Sequence, residues 1–99
     1  MPVIEFVFYS TFKRIAGEKK ISREVGPTVK DAIEALVEEF GSEMEDLLID
    51  STGILKRNLI FSLNGTDIRK LKRLKTSLKP GDTISLVQAV AGGSDYPSI

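Results

Sequence analysis

Gly92 and Gly93 stand next to each other, followed by only Ser94-Asp95-Tyr96-Pro97-Ser98-Ile99 in a chain of 99 residues. Two residues without a Cβ make a backbone thin enough to enter a channel that side chains would block, and free to take unusual φ/ψ inside it. Such a segment suits the delivery of a carboxylate into another protein's active site. Here the Gly93 carbonyl is tied up in an amide with Ser94, so the carboxylate exists only after residues 94–99 are removed. The competing reading is a flexible Gly-Gly-Ser linker into a disordered end, or an expression scar.

The residue types that are missing exclude more chemistry than those present suggest. The chain has no cysteine and no histidine, which rules out thiol nucleophiles, persulfides, disulfides, iron–sulfur ligation and thiolate or imidazole zinc sites on its own side chains. A Ser-His-Asp triad is excluded on the same ground. No nucleophile and base are paired at motif spacing, so no catalytic residue and no metal ligand is assigned. The chain reads as something other than an enzyme.

Fourteen basic and fourteen acidic residues balance to a net charge of zero, but they are segregated. Between Asp31 and Asp50 every ionised side chain is acidic, and between Lys56 and Lys79 all are basic except Asp67. That asymmetry predicts a dipolar surface able to orient a charged partner, or else two solvated faces. The basic stretch Arg69-Lys70-Leu71-Lys72-Arg73 has no interleaved aromatic residue for base stacking, and the chain is neutral overall, so no nucleic-acid partner is expected. The acidic run Glu43-Met44-Glu45-Asp46 lacks the glycine and spacing of a calcium loop and reads as helix surface. No apolar run approaches a membrane span, and the N-terminus lacks the basic start of a signal peptide, so the expectation is a cytoplasmic protein without a membrane partner.

The length allows one modest core, and hence a single domain. Residues 3–9 alternate as a strand, with Ile4, Phe6 and Phe8 on one side and Val7 and Tyr9 on the other. Residues 10–17 read as a loop or short turn, and Lys19 to Val25 as a second, antiparallel strand. Gly26-Pro27 breaks it, and Thr28 with Asp31 three positions on makes a helix N-cap. Val29, Ala32, Ile33, Leu36, Val37 and Phe40 then form one apolar helical stripe, with Gly41 as its stop. Glu38 and Glu39 oppose the macrodipole at its C-terminal turn, a departure that hints at a surface role. Met44, Leu47 and Leu48 suggest a further short helix, and Asn58 to Leu63 a strand. Asn64-Gly65 is a tight turn, residues 66–75 are loosely patterned, Pro80-Gly81 fits a type II turn, and a last strand runs from Thr83 to Val87 or a little beyond. A right-handed crossover would set the first and last strands side by side in the middle of the sheet.

Four pieces of this order carry a family resemblance: residues 8–17 after the first strand, Pro27-Thr28-Val29 opening the helix, Leu63-Asn64-Gly65, and residues 76–84 leading to Val90-Ala91-Gly92-Gly93. In this spacing the chain, over residues 3–93, resembles the ubiquitin-like β-grasp sulfur carriers: the molybdopterin-synthase small subunit, the thiamine sulfur carrier and the archaeal small modifier proteins. It departs in having Gln88-Ala89 where molybdopterin-type carriers usually have prolines, and in continuing past Gly93. The resemblance implies an α+β, ubiquitin-like β-grasp fold, a mixed sheet of four to five strands with one main helix packed across it. It further implies a domain over 1–90 and a flexible tail over 91–99.

The resemblance also implies a mechanism in which every catalytic group belongs to a partner. An E1-like adenylating enzyme uses ATP and magnesium, with no cofactor bound by this chain, to convert the Gly93 carboxylate to an acyl-adenylate. A sulfur donor then yields a thiocarboxylate for molybdopterin biosynthesis, received by the molybdopterin-synthase large subunit, or a lysine of a target protein forms an isopeptide. A processing protease would expose Gly93. The alternative is a β-grasp interaction module that is never activated.

Alternation adds a docking surface. If Ile4, Phe6, Phe8, Phe61, Leu63, Ile84 and Leu86 face the helix, then Val7, Tyr9, Ile60 and Val87 lie on the opposite, solvent-side face. An apolar patch there is a candidate partner surface, joined by Val90 and Ala91 on the way to the diglycine; scattered exposed hydrophobics are the plainer reading.

Overall fold

The computed structural model describes residues 1–53 and 55–88. The expected tail 91–99 lies outside the described residues. In chain order the elements are β1 (Val3–Phe8), α1 (Ser10–Ala16), β2 (Lys20–Glu24), α2 (Val29–Phe40), α3 (Ser42–Leu48), β3 (Leu59–Leu63), β4 (Thr66–Asp67), two 3-10 turns (Ile68–Lys70 and Arg73–Lys75) and β5 (Thr83–Gln88). The sheet order is β2-β1-β5-β3-β4. β1 and β5 are parallel neighbours at its centre, while β2, β3 and β4 join antiparallel.

One region differs from the sequence expectation. Residues 10–17 form a helix, not a loop. Phe12 is fully buried on α1, and Gly17, at φ 80°, ends the helix with its N–H donated to the Lys13 carbonyl. Seven residues give too few turns for a periodic stripe to show, so the helix follows from burial of Phe12.

α2 crosses the sheet and begins as its sequence dictates. The Thr28 hydroxyl accepts from the Asp31 N–H, and the Asp31 carboxylate accepts from the Thr28 N–H at 3.0 Å, a complete capping box. Gly26 belongs to this arrangement, because a Cβ there would come within 2.6 Å of the Asp31 side chain. Val29, Ala32, Ile33 and Leu36 are buried against Ile4, Phe6, Phe8, Phe61, Ile84 and Leu86 in one core. Phe40 meets Phe8 edge to face, with ring centroids 6.0 Å apart.

The acid at the C-terminal end of α2 has a structural role. Glu39 is bidentate to Arg23 of β2, at 2.8 and 2.7 Å, tying the helix to the outer strand. That hydrogen bonding lowers the Glu39 carboxyl below its ordinary range, against a smaller opposing effect of burial, and raises Arg23.

Two turns at one end of the sheet are clamped to each other. Asn64 and Gly65 both take positive φ, 51° and 87°, as a two-residue hairpin requires. The Asn64 side chain donates to Asp82 at 3.0 Å and accepts from the Thr83 N–H at 2.9 Å, while Asp82 also accepts from the Lys79 N–H at 2.8 Å. The Asn-Gly and Pro-Gly-Asp signals in the sequence are therefore parts of a single knot holding β3 to β5.

Candidate functional site

The sheet face turned away from α2 has an apolar strip running across its central strands. Opposite each other in the antiparallel β3–β5 pair stand Ile60 and Val87. The parallel β1–β5 register sets Phe8 beside Leu86, so Tyr9 follows next to Val87. Tyr9 stays extended, at φ −125° and ψ 154°, and its N–H donates to the Leu86 carbonyl at 3.2 Å. The strand alternation therefore carries through to Tyr9, and Val87 sits between Tyr9 and Ile60. Tyr9 is 40 % exposed and Ile60 37 %, with Val87 half-buried.

Val7 shares this face but not its accessibility. It was expected among solvent-side residues, yet it is only 7 % exposed while lying outside the main core cluster. The reason is its position in a central strand: Lys20 flanks it on β2 and Ser85 on β5, so a short β-branched side chain there sits below its neighbours. Val7 is thus covered, and the accessible apolar surface of this face belongs to Tyr9, Ile60 and Val87.

Lys19 is a member of this site that the sequence did not single out. Its ammonium lies 5.6 Å from the centroid of the Tyr9 ring, a cation–π arrangement that orients the ring at the patch edge. The two residues meet because the chain turns back through α1, with the Phe8 N–H donating to the Lys19 carbonyl at 2.7 Å. No local pattern signals a pairing made by an intervening helix.

β5 ends at Gln88, opposite Leu59. Val90, Ala91, Gly92 and Gly93 lie outside the described residues. Among the described residues no cluster of acidic side chains could hold a metal ion, and no helix is long and apolar enough to cross a membrane.

The basic stretch is not uniform. Arg69 is committed to structure: its guanidinium donates to the Leu59 carbonyl at 2.5 Å and to Asp67 at 3.2 Å. Asp67 accepts from the Arg69 N–H at 2.8 Å, and that backbone hydrogen bond is the main cause of its lowered carboxyl pKa. Lys72, Arg73 and Lys75 have no ion-pair partner among the described residues.

Comparison with known proteins places this arrangement. The model of the ThiS family matches residues 6–93. Small archaeal modifier protein 3 of Haloferax volcanii is 32% identical over 92 residues, covering 91% of this chain and 98% of that protein. The solution structure of small archaeal modifier protein 1 from Methanosarcina acetivorans superposes with a TM-score of 0.81 at 23% identity, over 94% of this chain and 98% of the other. A chain in the crystal structure of the Amycolatopsis orientalis BexX/CysO complex gives 0.76 at 26% identity, over 91% and 99%.

Proposed function

This chain belongs to the ThiS family of ubiquitin-like sulfur carriers, and on that premise we propose that it acts as a sulfur carrier and protein modifier through the carboxylate of Gly93, exposed by removal of residues 94–99. The observation that carries this reading is the apolar strip of Tyr9, Val87 and Ile60 at the end of the strand that leads into Gly92-Gly93. Residues 1–90 act as the body that an adenylating enzyme grips, and of the tail 91–99 it threads the part left after cleavage, Ala91-Gly92-Gly93. Similarity to a chain in the BexX/CysO complex supports a role in which this fold meets a protein partner.

A carboxylate resists nucleophiles because its oxygen is a poor leaving group. Attack of a Gly93 carboxylate oxygen on the α-phosphorus of ATP, with pyrophosphate leaving, makes AMP the leaving group. Magnesium in the partner's site offsets the phosphate charge. A sulfur nucleophile that then expels AMP leads to a thiocarboxylate, and a lysine amine gives an isopeptide. This chain supplies only the carboxylate and the docking surface, in keeping with its lack of cysteine and histidine. Family membership favours the sulfur route and the modifier relative the lysine route.

Intact mass spectrometry of the chain from its native host tests the proposal. The expected species ends at Gly93, with a fraction heavier by the difference between sulfur and oxygen or joined to target lysines. A chain that keeps Ser94 to Ile99, with no product ending at Gly93, would leave only an interaction module.

A further inference from the structure

The segregated basic block folds around an apolar cleft that the docking face does not use. Leu55, Leu59, Phe61, Ile68 and Leu74 form the wall and floor of a groove of about 720 Å³, and Lys56, Arg57, Lys72, Arg73 and Lys75 stand around it with Arg69. Among the described residues no carboxylate lines it. Apart from Arg69, none of these cations has an ion-pair partner among the described residues. Like charges gathered on one rim repel one another, a cost that an anionic occupant removes.

The rim is held in place before anything binds. The Lys72 N–H donates to the buried Thr76 hydroxyl at 3.0 Å, the Lys75 N–H to the Lys72 carbonyl at 3.0 Å and the Thr76 N–H to the Arg73 carbonyl at 3.1 Å. Arg73 is kept in the left-handed region, φ 53°, which is unfavourable for a long side chain. Arg69, fixed by Asp67 and the Leu59 carbonyl, closes the edge of β3 beyond its short pairing with β4. An incoming strand therefore finds a side chain where it would need a free carbonyl.

We propose that this groove binds a short acidic segment of a partner protein that places one or two large aliphatic side chains against Leu55 and Leu74 while its carboxylates meet the Lys56, Arg57, Lys72, Arg73 and Lys75 rim. The half-buried Leu55 and Leu74 leave apolar surface within the ring of cations, which asks for more than a charge and disfavours a simple anion. Phe61, the one aromatic residue lining the groove among the described residues, is 2 % exposed and offers no stacking surface to a base, which disfavours nucleic acid. A second copy fits poorly: its acidic helix α3 already buries Met44 and Leu48 completely in its own core. The groove is independent of what happens at Gly93.

The test is an NMR titration of the isotope-labelled full chain with the peptide Glu-Glu-Asp-Ile-Leu-Asp-Glu-Glu. Alongside it run Glu-Glu-Asp-Gly-Gly-Asp-Glu-Glu, of equal charge, and an oligouridylate. Saturable shifts at Leu55, Arg57, Lys72 and Leu74 are expected with the first peptide, and affinity at least roughly tenfold weaker for the Gly-Gly peptide. The combined variant Lys72→Glu, Arg73→Glu and Lys75→Glu weakens binding by roughly tenfold or more. Lys56→Glu with Arg57→Glu serves the same purpose if the first variant loses its native spectrum. Equal binding of the Gly-Gly peptide reduces the groove to a charge field and overturns the proposal. So do tighter binding of the oligouridylate, shifts centred on Tyr9, Ile60 and Val87, or no saturable shift at millimolar peptide.

Discussion

The two faces of the central sheet are made by alternate residues of the same strands. On the covered face, Phe6, Phe61, Ile84 and Leu86 are at most 2 % exposed and hold α2 in place. On the open face, the next residues along, Ile60 and Val87, keep accessible apolar surface that no element of the described residues covers. A protein that needed only stability would have little reason to leave that strip apolar. The contrast separates residues that maintain the body from residues left accessible, and Val7, buried yet outside the main core cluster, marks the boundary between them.

The sharpest division is between the body and the diglycine. Deleting Gly93 from a chain otherwise ending there should abolish adenylation, measured as ATP–pyrophosphate exchange with the cognate activating enzyme, while thermal unfolding stays unchanged; retained exchange would sink the proposed role of that carboxylate. On the covered face, Phe61→Ala should cost about 3–5 kcal/mol in urea unfolding, by lost transfer energy and a residual cavity. A loss comparable to a surface change would mean that the core tolerates the gap.

The open face should behave in the opposite way. Val87→Asp should change stability by no more than about 1 kcal/mol yet weaken binding to the activating enzyme by roughly thirtyfold, as read by calorimetry on both. If stability falls and binding holds, the two faces have been assigned the wrong way round. A smaller effect concerns the frame that both faces share: Thr28→Ala should cost about 1 kcal/mol by removing the N-cap hydroxyl, checked by chemical denaturation.

The smallest effect is the pH dependence of the helix-to-strand tie. Glu39 and Asp67 titrate below their ordinary values of 4.5 and 3.8 in the folded chain. Each therefore adds stability that is fully present above those values and is lost as pH falls through the lowered folded ones. Since Arg23 and Glu39 are 41% and 36% exposed, solvent screening limits Glu39→Gln to about 0.5 kcal/mol at neutral pH. The variant should lose less stability than the parent on acidification, and identical acid curves would remove Glu39 from the account.

Local chemistry made much of this molecule legible. The alternation of β1, the stripe from Val29 to Phe40, the Thr28–Asp31 box and the Asn64-Gly65 and Pro80-Gly81 turns each depend on residues within a few positions of one another, so one dimension is enough to see them. The helix at Ser10–Ala16 escaped because it is short and is fixed by burying Phe12 in a core built mostly from other strands. Glu39 looked like an electrostatic misfit until Arg23, sixteen positions earlier, was brought against it.

By itself the sequence determined the order of the four longer strands and the long helix, the two alternating sets of strand residues, the absence of any thiol or imidazole chemistry and the presence of a diglycine. Tertiary structure alone decided that Val87 lies between Tyr9 and Ile60, that Val7 is covered, that Lys19 reaches the Tyr9 ring and that the basic block surrounds an apolar groove. The physical reason is one of range. Propensity, capping and periodicity act between near neighbours along the chain, whereas sheet register and side-chain burial are set by contacts between segments tens of residues apart.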